Sequence, residues 1–223
     1  MLGIDVRLSL RDLIQLHPAA QPVLQRHGLD GCCGGDCSLQ QACERSDVDA
    51  TLVAMEVARV ARAPADAAQW QEAPLAALIT HLVEDYHRPL EEDLKRLDAL
   101  AVRVLEVHGS KEPERLGRLL ATLRILEELL GAHLAKEEQV LFPWILSGRA
   151  PAPVAPIQVM LLEHAHVEQC LARLRTLTND YVAPAGACRT WRELWERLAR
   201  LERELDEHTW LEDEVLFPRA LRR

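Results

Sequence analysis

Apolar residues recur at helical spacing through four long stretches of the second part of the chain: 74–108, 112–147, 156–178 and 188–216. The separators carry turn chemistry: His108-Gly-Ser-Lys-Glu-Pro113, the Pro-rich run from Gly148 to Pro156, and Ala183-Pro-Ala-Gly186. Alternation with period two is absent, as are Asn-Gly hairpin signals. Four amphipathic helices joined by connections this short predict an up-down-up-down bundle. Residues 1–60 read instead as short helices, broken at His17-Pro18 and His27-Gly28 and by a glycine-rich loop over 31–35. Within that part, 47–62 places Val48, Leu52, Met55 and Val60 at helical spacing. An alanine-rich stretch edged by Pro64 and Pro74 reads as a linker. The expectation is an all-α protein: a small helical domain over 1–60, a linker over 61–73 and a four-helix bundle over 74–223.

Composition agrees and narrows the partners. The dominant residues are helix formers, while aromatic residues make up only 4% of the 223. The formal charge is −9 and no Lys/Arg-rich block occurs, which argues against nucleic acid. Charged residues Asp5, Arg7, Arg11 and Asp12 interrupt the N-terminus, so no signal-peptide core can be drawn, and no apolar run reaches membrane-spanning length. A cytoplasmic protein is expected, with no membrane partner. Four of the six cysteines fall within twelve residues (Cys32, Cys33, Cys37, Cys43), and in a reducing compartment they read as thiols or metal ligands.

One internal repeat stands out. His133-Leu-Ala-Lys-Glu137-Glu-Gln-Val-Leu-Phe-Pro143 in the second long helix returns as His208-Thr-Trp-Leu-Glu212-Asp-Glu-Val-Leu-Phe-Pro218 in the fourth. A His and a Glu four residues apart share one helix face and can reach one metal. The proline is expected to close each helix. The first and third helices offer His87 and His164. His87 lies 13 residues after Pro74, His164 lies 8 after Pro156, and His133 and His208 each lie 10 before a proline. At about 1.5 Å per residue, all four sit roughly 12 to 20 Å from helix ends that alternating direction brings together. The same arithmetic places His108 roughly 31 Å from His87 along its helix, away from the layer. His81 falls on another face, and His166 points away from the face of His164.

Four imidazoles and two carboxylates exceed the needs of one tetrahedral zinc and are too rich in nitrogen for calcium or magnesium. They suit two non-haem irons bridged by Glu137 and Glu212, with a position left for a small molecule and room for an oxo bridge. His-x-x-x-Glu, in place of the Glu-x-x-His of carboxylate-rich di-iron bundles, points to the haemerythrin type. Glu91 and Glu168, four residues after His87 and His164, stand as extra ligands, as acceptors for an imidazole N–H, or as solvated glutamates. In the N-terminal part, Cys32 and Cys33 lie in a glycine-rich loop that leaves thiols accessible for exchange, oxidation or metal. Cys37 or Cys43 could complete a metal set. Cys170 and Cys188 read as packing residues.

With these pieces assembled, the chain resembles the repair-of-iron-centres family of bacterial di-iron proteins. The likeness rests on Cys32-Cys33-Gly34-Gly35 with Ala42-Cys43, on Tyr86-His87, His133-x-x-Lys136-Glu137-Glu138, Leu141-Phe142-Pro143 and Glu163-His164, and on His208-x-x-x-Glu212 with Leu216-Phe217-Pro218-Arg219-Ala220. The resemblance implies a haemerythrin-like bundle whose iron ligands are His87, His133, Glu137, His164, His208 and Glu212. It also implies repair of iron–sulfur clusters damaged by oxidative or nitrosative stress, with iron–sulfur proteins as clients and iron donation as the act. Two alternatives stay open: a protein that binds or reduces nitric oxide or dioxygen, with nitric oxide reductase-type activity, and a redox sensor working through Cys32 and Cys33. A homodimer is compatible with each.

Overall fold

The computed structural model describes residues 4–29 and 35–222. They form two compact units, Met1–Ala63 and Pro64–Arg223. In the first, helices α1 (Leu10–Leu16), α2 (Ala20–Arg26), α3 (Leu39–Ser46) and α4 (Ala50–Ala61) close around Leu13, Val23, Leu24, Leu39, Cys43, Val53 and Val57. The starts of α1, α3 and α4 are set by side chains that accept otherwise unpaired amide N–H groups: Ser9 from Asp12, Ser38 from Gln41 in a reciprocal capping box, and Asp49 from Thr51 and Leu52. The apolar stripe expected on α4 is out of phase. Leu52 and Met55 are exposed, and the buried face is Val53, Ala54, Val57 and Ala58. This helix is apolar nearly all round, so spacing does not choose its face; the small alanines do, by admitting α2 and α3 closely.

The second unit opens with a short helix, α5 (Ala67–Trp70), inside the stretch expected to be linker. Trp70 packs on the bundle, stacking on His81 with ring centroids 4.3 Å apart and donating its indole N–H to Asp66. Arg219 fixes the turn that follows, donating to the carbonyls of Trp70 (2.7 Å) and Ala73 (2.6 Å). Hydrogen bonds from a charged donor contribute about 1.5–3 kcal/mol each. Arg219→Met is therefore expected to raise protease nicking within 64–73 about tenfold or more while leaving metal content unchanged, as limited proteolysis followed by mass spectrometry would read.

Each bundle helix follows from the pattern, with one correction. The first runs as α6 (Leu75–His81), a π-helical turn Leu82–His87 and α7 (Arg88–His108). The second is α8 (Pro113–Lys136), a π-turn Glu137–Leu141 and α9 (Phe142–Ser147). The third, α10 (Val154–Thr178), is α-helical throughout. The fourth is α11 (Arg189–Leu211), a π-turn Glu212–Leu216 and α12 (Phe217–Leu221). Neighbours pack α7 on α8, α8 on α10, α10 on α11 and α11 on α7, giving the expected bundle. Among the described residues no strand forms beyond an isolated bridge between Ser9 and Ser38.

Leu-Phe-Pro does not end the second and fourth helices as expected. Pro89, Pro143 and Pro218 each stand two residues beyond a π-turn, and the helix continues through them. A proline lacks the N–H for an α-helical bond, and its ring collides with the carbonyl four residues back. Widening the preceding turn moves that carbonyl aside. The turns close with bonds five residues long, from Arg88 N–H to Val83, Phe142 N–H to Glu137 and Phe217 N–H to Glu212. Apolar cores lie on both sides of this level. One is built on Leu97, Leu123, Leu126, Leu171, Leu194 and Trp195, the other on Leu78, Leu82, Phe142, Met160, Leu211 and Phe217.

Candidate metal centre

Between those two cores lies a buried polar layer of His87, His133, Glu137, His164, His208 and Glu212, with both glutamates 0% exposed. They fall into two overlapping donor groups, His87–Glu137–His208–Glu212 and His133–Glu137–His164–Glu212, the ligand atoms of each within 4.8 Å of one another. Each carboxylate spans both groups. Glu137 lies 3.6 Å from His87 Nε2 through Oε2 and 3.4 Å from His133 Nε2 through Oε1. Glu212 lies 3.2 Å from His164 Nε2 through Oε2 and 3.3 Å from His208 Nε2 through Oε1. The i, i+4 spacing places His133 with Glu137 and His208 with Glu212, and each glutamate opens a π-turn at the same level.

The outer ring nitrogens fix the tautomers. His87 Nδ1 donates to Glu138 (2.9 Å), His133 Nδ1 to Glu163 (3.1 Å) and His164 Nδ1 to Asp213 (2.9 Å), so a neutral ring turns its Nε2 lone pair inward. Glu163 is also paired with Lys136. Inside, Nε2 of His87 faces Nε2 of His208 at 3.1 Å, and Nε2 of His133 faces that of His164 at 3.2 Å. Lone pairs this close need a proton or a cation between them. The four oxygens of Glu137 and Glu212 are buried without a hydrogen-bond partner. Carboxylates so placed are costly unless a cation takes them up.

Charge tells the same story. Burial holds His87 and His133 below the ordinary histidine range, as neutral rings suited to ligation. His164, despite its burial, is drawn up to about 10 by Asp213 and Glu212, whose negative charge favours a cation there. Burial and the charge of Glu212 push Glu137 well above the carboxylate range. Glu212, itself buried, is held well below it by His208 and His164. The residues fit transition-metal cations, with imidazole and carboxylate donors.

Other sequence candidates lie elsewhere. Glu91 is exposed and pairs with Lys95, and Glu168 belongs to neither donor group. His81 stands in an outer aromatic layer, edge-on to Tyr86, whose ring stacks on His208 at 5.6 Å. His108 is at the far end of α7 against Trp191, and its Nε2 is 3.3 Å from Cys188 Sγ. Cys188 is thus exposed at the start of α11 instead of packed, while Cys170 lies against the far core. Cys37 and Cys43 are buried in the core of the first unit, and burial raises the Cys43 thiol. Cys32 and Cys33 lie outside the described residues. The outer acceptors Glu138, Glu163 and Asp213 went unread as such, although each is next in sequence to a donor residue. Every one serves a histidine of another helix, which spacing along a single helix does not reveal.

A bundle with this donor set defines a cation-binding protein of the haemerythrin type, and residues 78–220 match the Hemerythrin HHE cation binding domain. Residues 8–61 match a domain of unknown function, DUF542. Over 204 residues, 92% of either chain, the sequence is 37% identical to the iron-sulfur cluster repair protein YtfE of Escherichia coli O1:K1 and, to the same degree, to that of Escherichia fergusonii. The chain belongs to this family, the repair-of-iron-centres proteins. Among the described residues no helix is long and apolar enough to cross a membrane.

Proposed function

We propose that the protein restores damaged iron–sulfur clusters by donating iron from a di-iron centre. His87 and His208 would hold one iron and His133 and His164 the other, with Glu137 and Glu212 shared between them. Bound there, iron supplies a transferable ferrous cation and a one-electron redox couple. The observation that carries this reading is the sharing itself: each buried carboxylate faces one histidine from either pair, which a single-metal site does not require. The likeness to YtfE extends through both parts of the chain, which favours the repair role over one built on the bundle alone. Iron–sulfur proteins of the cytoplasm are the clients in this reading, and Cys32 and Cys33 assist docking or transfer.

The test is reactivation of a [4Fe–4S] hydro-lyase inactivated by peroxide or nitric oxide, using protein loaded with iron under anaerobic conditions. Wild type is expected to restore activity, and His133→Ala to do no better than free ferrous iron at equal concentration. Equal repair by His133→Ala sinks the donor role. A second reading, binding of nitric oxide or dioxygen, draws on a cavity of about 230 Å³ that reaches His208 between the first and fourth helices. A stable nitrosyl spectrum on the reduced protein, with turnover given an electron donor, would favour it.

A further inference from the structure

The two halves of the bundle repeat one another: Tyr86-His87 with His133…Glu137-Glu138, then Glu163-His164 with His208…Glu212-Asp213. Three of the contacts obey that symmetry in pairs or leave a seat to compare. Glu138 holds His87 as Asp213 holds His164. The residue before the histidine in the third helix, Glu163, accepts from Nδ1 of His133. Its counterpart in the first helix is Tyr86, which presents a ring to His208 in place of a carboxylate, nearly parallel at 18°. Both histidines of the His133/His164 pair therefore donate to carboxylates. In the His87/His208 pair, among the described residues, a carboxylate is seen only on His87.

An anionic acceptor on the outer nitrogen makes an imidazole a stronger donor, and its removal weakens metal affinity by about 10- to 100-fold. Cavities also reach this pair from outside. The cavity of about 230 Å³ touches His208 beside Asp85, Tyr86 and Glu204, and another of about 460 Å³ touches His87 beside Glu91 and Glu138. Resting on the di-iron reading above, we propose that the iron at His87 and His208 is the first to leave, and that Tyr86, in the seat that Glu163 fills in the other half, makes this the weaker position. The donor is then built to give up one iron while the other keeps the layer assembled.

The experiment follows release of both irons from the full chain, loaded and held under anaerobic conditions, into excess of a chromogenic ferrous chelator. Wild type is expected to lose one iron per chain in each of two phases, with rates about tenfold or more apart. Tyr86→Glu should slow the fast phase until both irons leave at similar rates. Glu163→Gln should speed the slow phase and leave the fast one unchanged. A single phase from wild type, a fast phase untouched by Tyr86→Glu, or an effect of Glu163→Gln on the fast phase would each overturn the proposal. Should Tyr86→Glu not fold, the isosteric Glu163→Gln decides alone. Reactivation of a damaged hydro-lyase by the same preparations separates the two readings. Repair with single-phase release removes the inequality and keeps the donor, whereas two-phase release without repair keeps the inequality and removes the donor.

Discussion

Replacing Glu137 and Glu212 together by leucine is expected to abolish iron binding and, in metal-free protein, to raise resistance to urea above that of metal-free wild type. Either glutamate belongs to both donor groups, so on the di-iron reading the double change would remove the donors common to the two positions, and iron content should fall toward none. The stability gain comes from the same atoms. Four carboxylate oxygens are fully buried without hydrogen-bond partners, a burden that a bound cation relieves. Leucine fills comparable space without desolvating a charge. Exchanging buried ionic groups for packed apolar ones stabilises by about 1–4 kcal/mol where it stabilises at all, and that is the expected range for the bundle transition. A metal-free double variant that unfolds at lower urea than metal-free wild type would show the layer to be satisfied without metal. Iron-loaded wild type should exceed both, because a ligand bound only by the folded state adds stability in proportion to the logarithm of its concentration over Kd.

Trp195→Ala is expected to act in the opposite sense, weakening the fold while leaving the iron in place. Trp195 is 1% exposed in the far core and donates its indole N–H to the carbonyl of Thr178 at 3.2 Å, holding the end of α10 against α11. Truncating a buried tryptophan costs about 3–5 kcal/mol, and here the change also removes the donor from a buried carbonyl. That core is separate from the buried His/Glu layer, so protein that remains folded should bind as much iron as wild type. Denaturant titration of the loaded and metal-free variant, with iron analysis, checks both halves. Loss of iron before loss of fold would tie the far core to the site more closely than its packing implies.

That six residues would meet in one buried layer was legible because three kinds of regularity agreed at His133, Glu137, His208 and Glu212: a shared helix face, an internal repeat and a common height. His87 and His164 followed from height alone. What remained hidden depends on neighbours. Leu-Phe-Pro reads as a stop because proline cannot continue an α-helix, but the turn before it can widen, and that option leaves no mark in spacing. Trp70 reads as part of a linker until Arg219, almost 150 positions away, is seen holding its carbonyl. Leu52 and Met55 make as good a stripe as Val53 and Val57, and the choice between them belongs to α2 and α3. The carboxylates behind the histidines were visible as letters and silent as partners, since each reaches across to another helix.

The widened turns bear on any attempt to transplant this centre. Each holds one residue more than its α-helical equivalent, so the helix beyond it resumes rotated by about 100° relative to an uninterrupted one. Ligands grafted onto regular rods would still converge, yet Leu141, Phe142 and Ile145, or Val215, Leu216 and Phe217, would swing out of the core they now fill. A working copy must carry the slip in phase along with the six side chains.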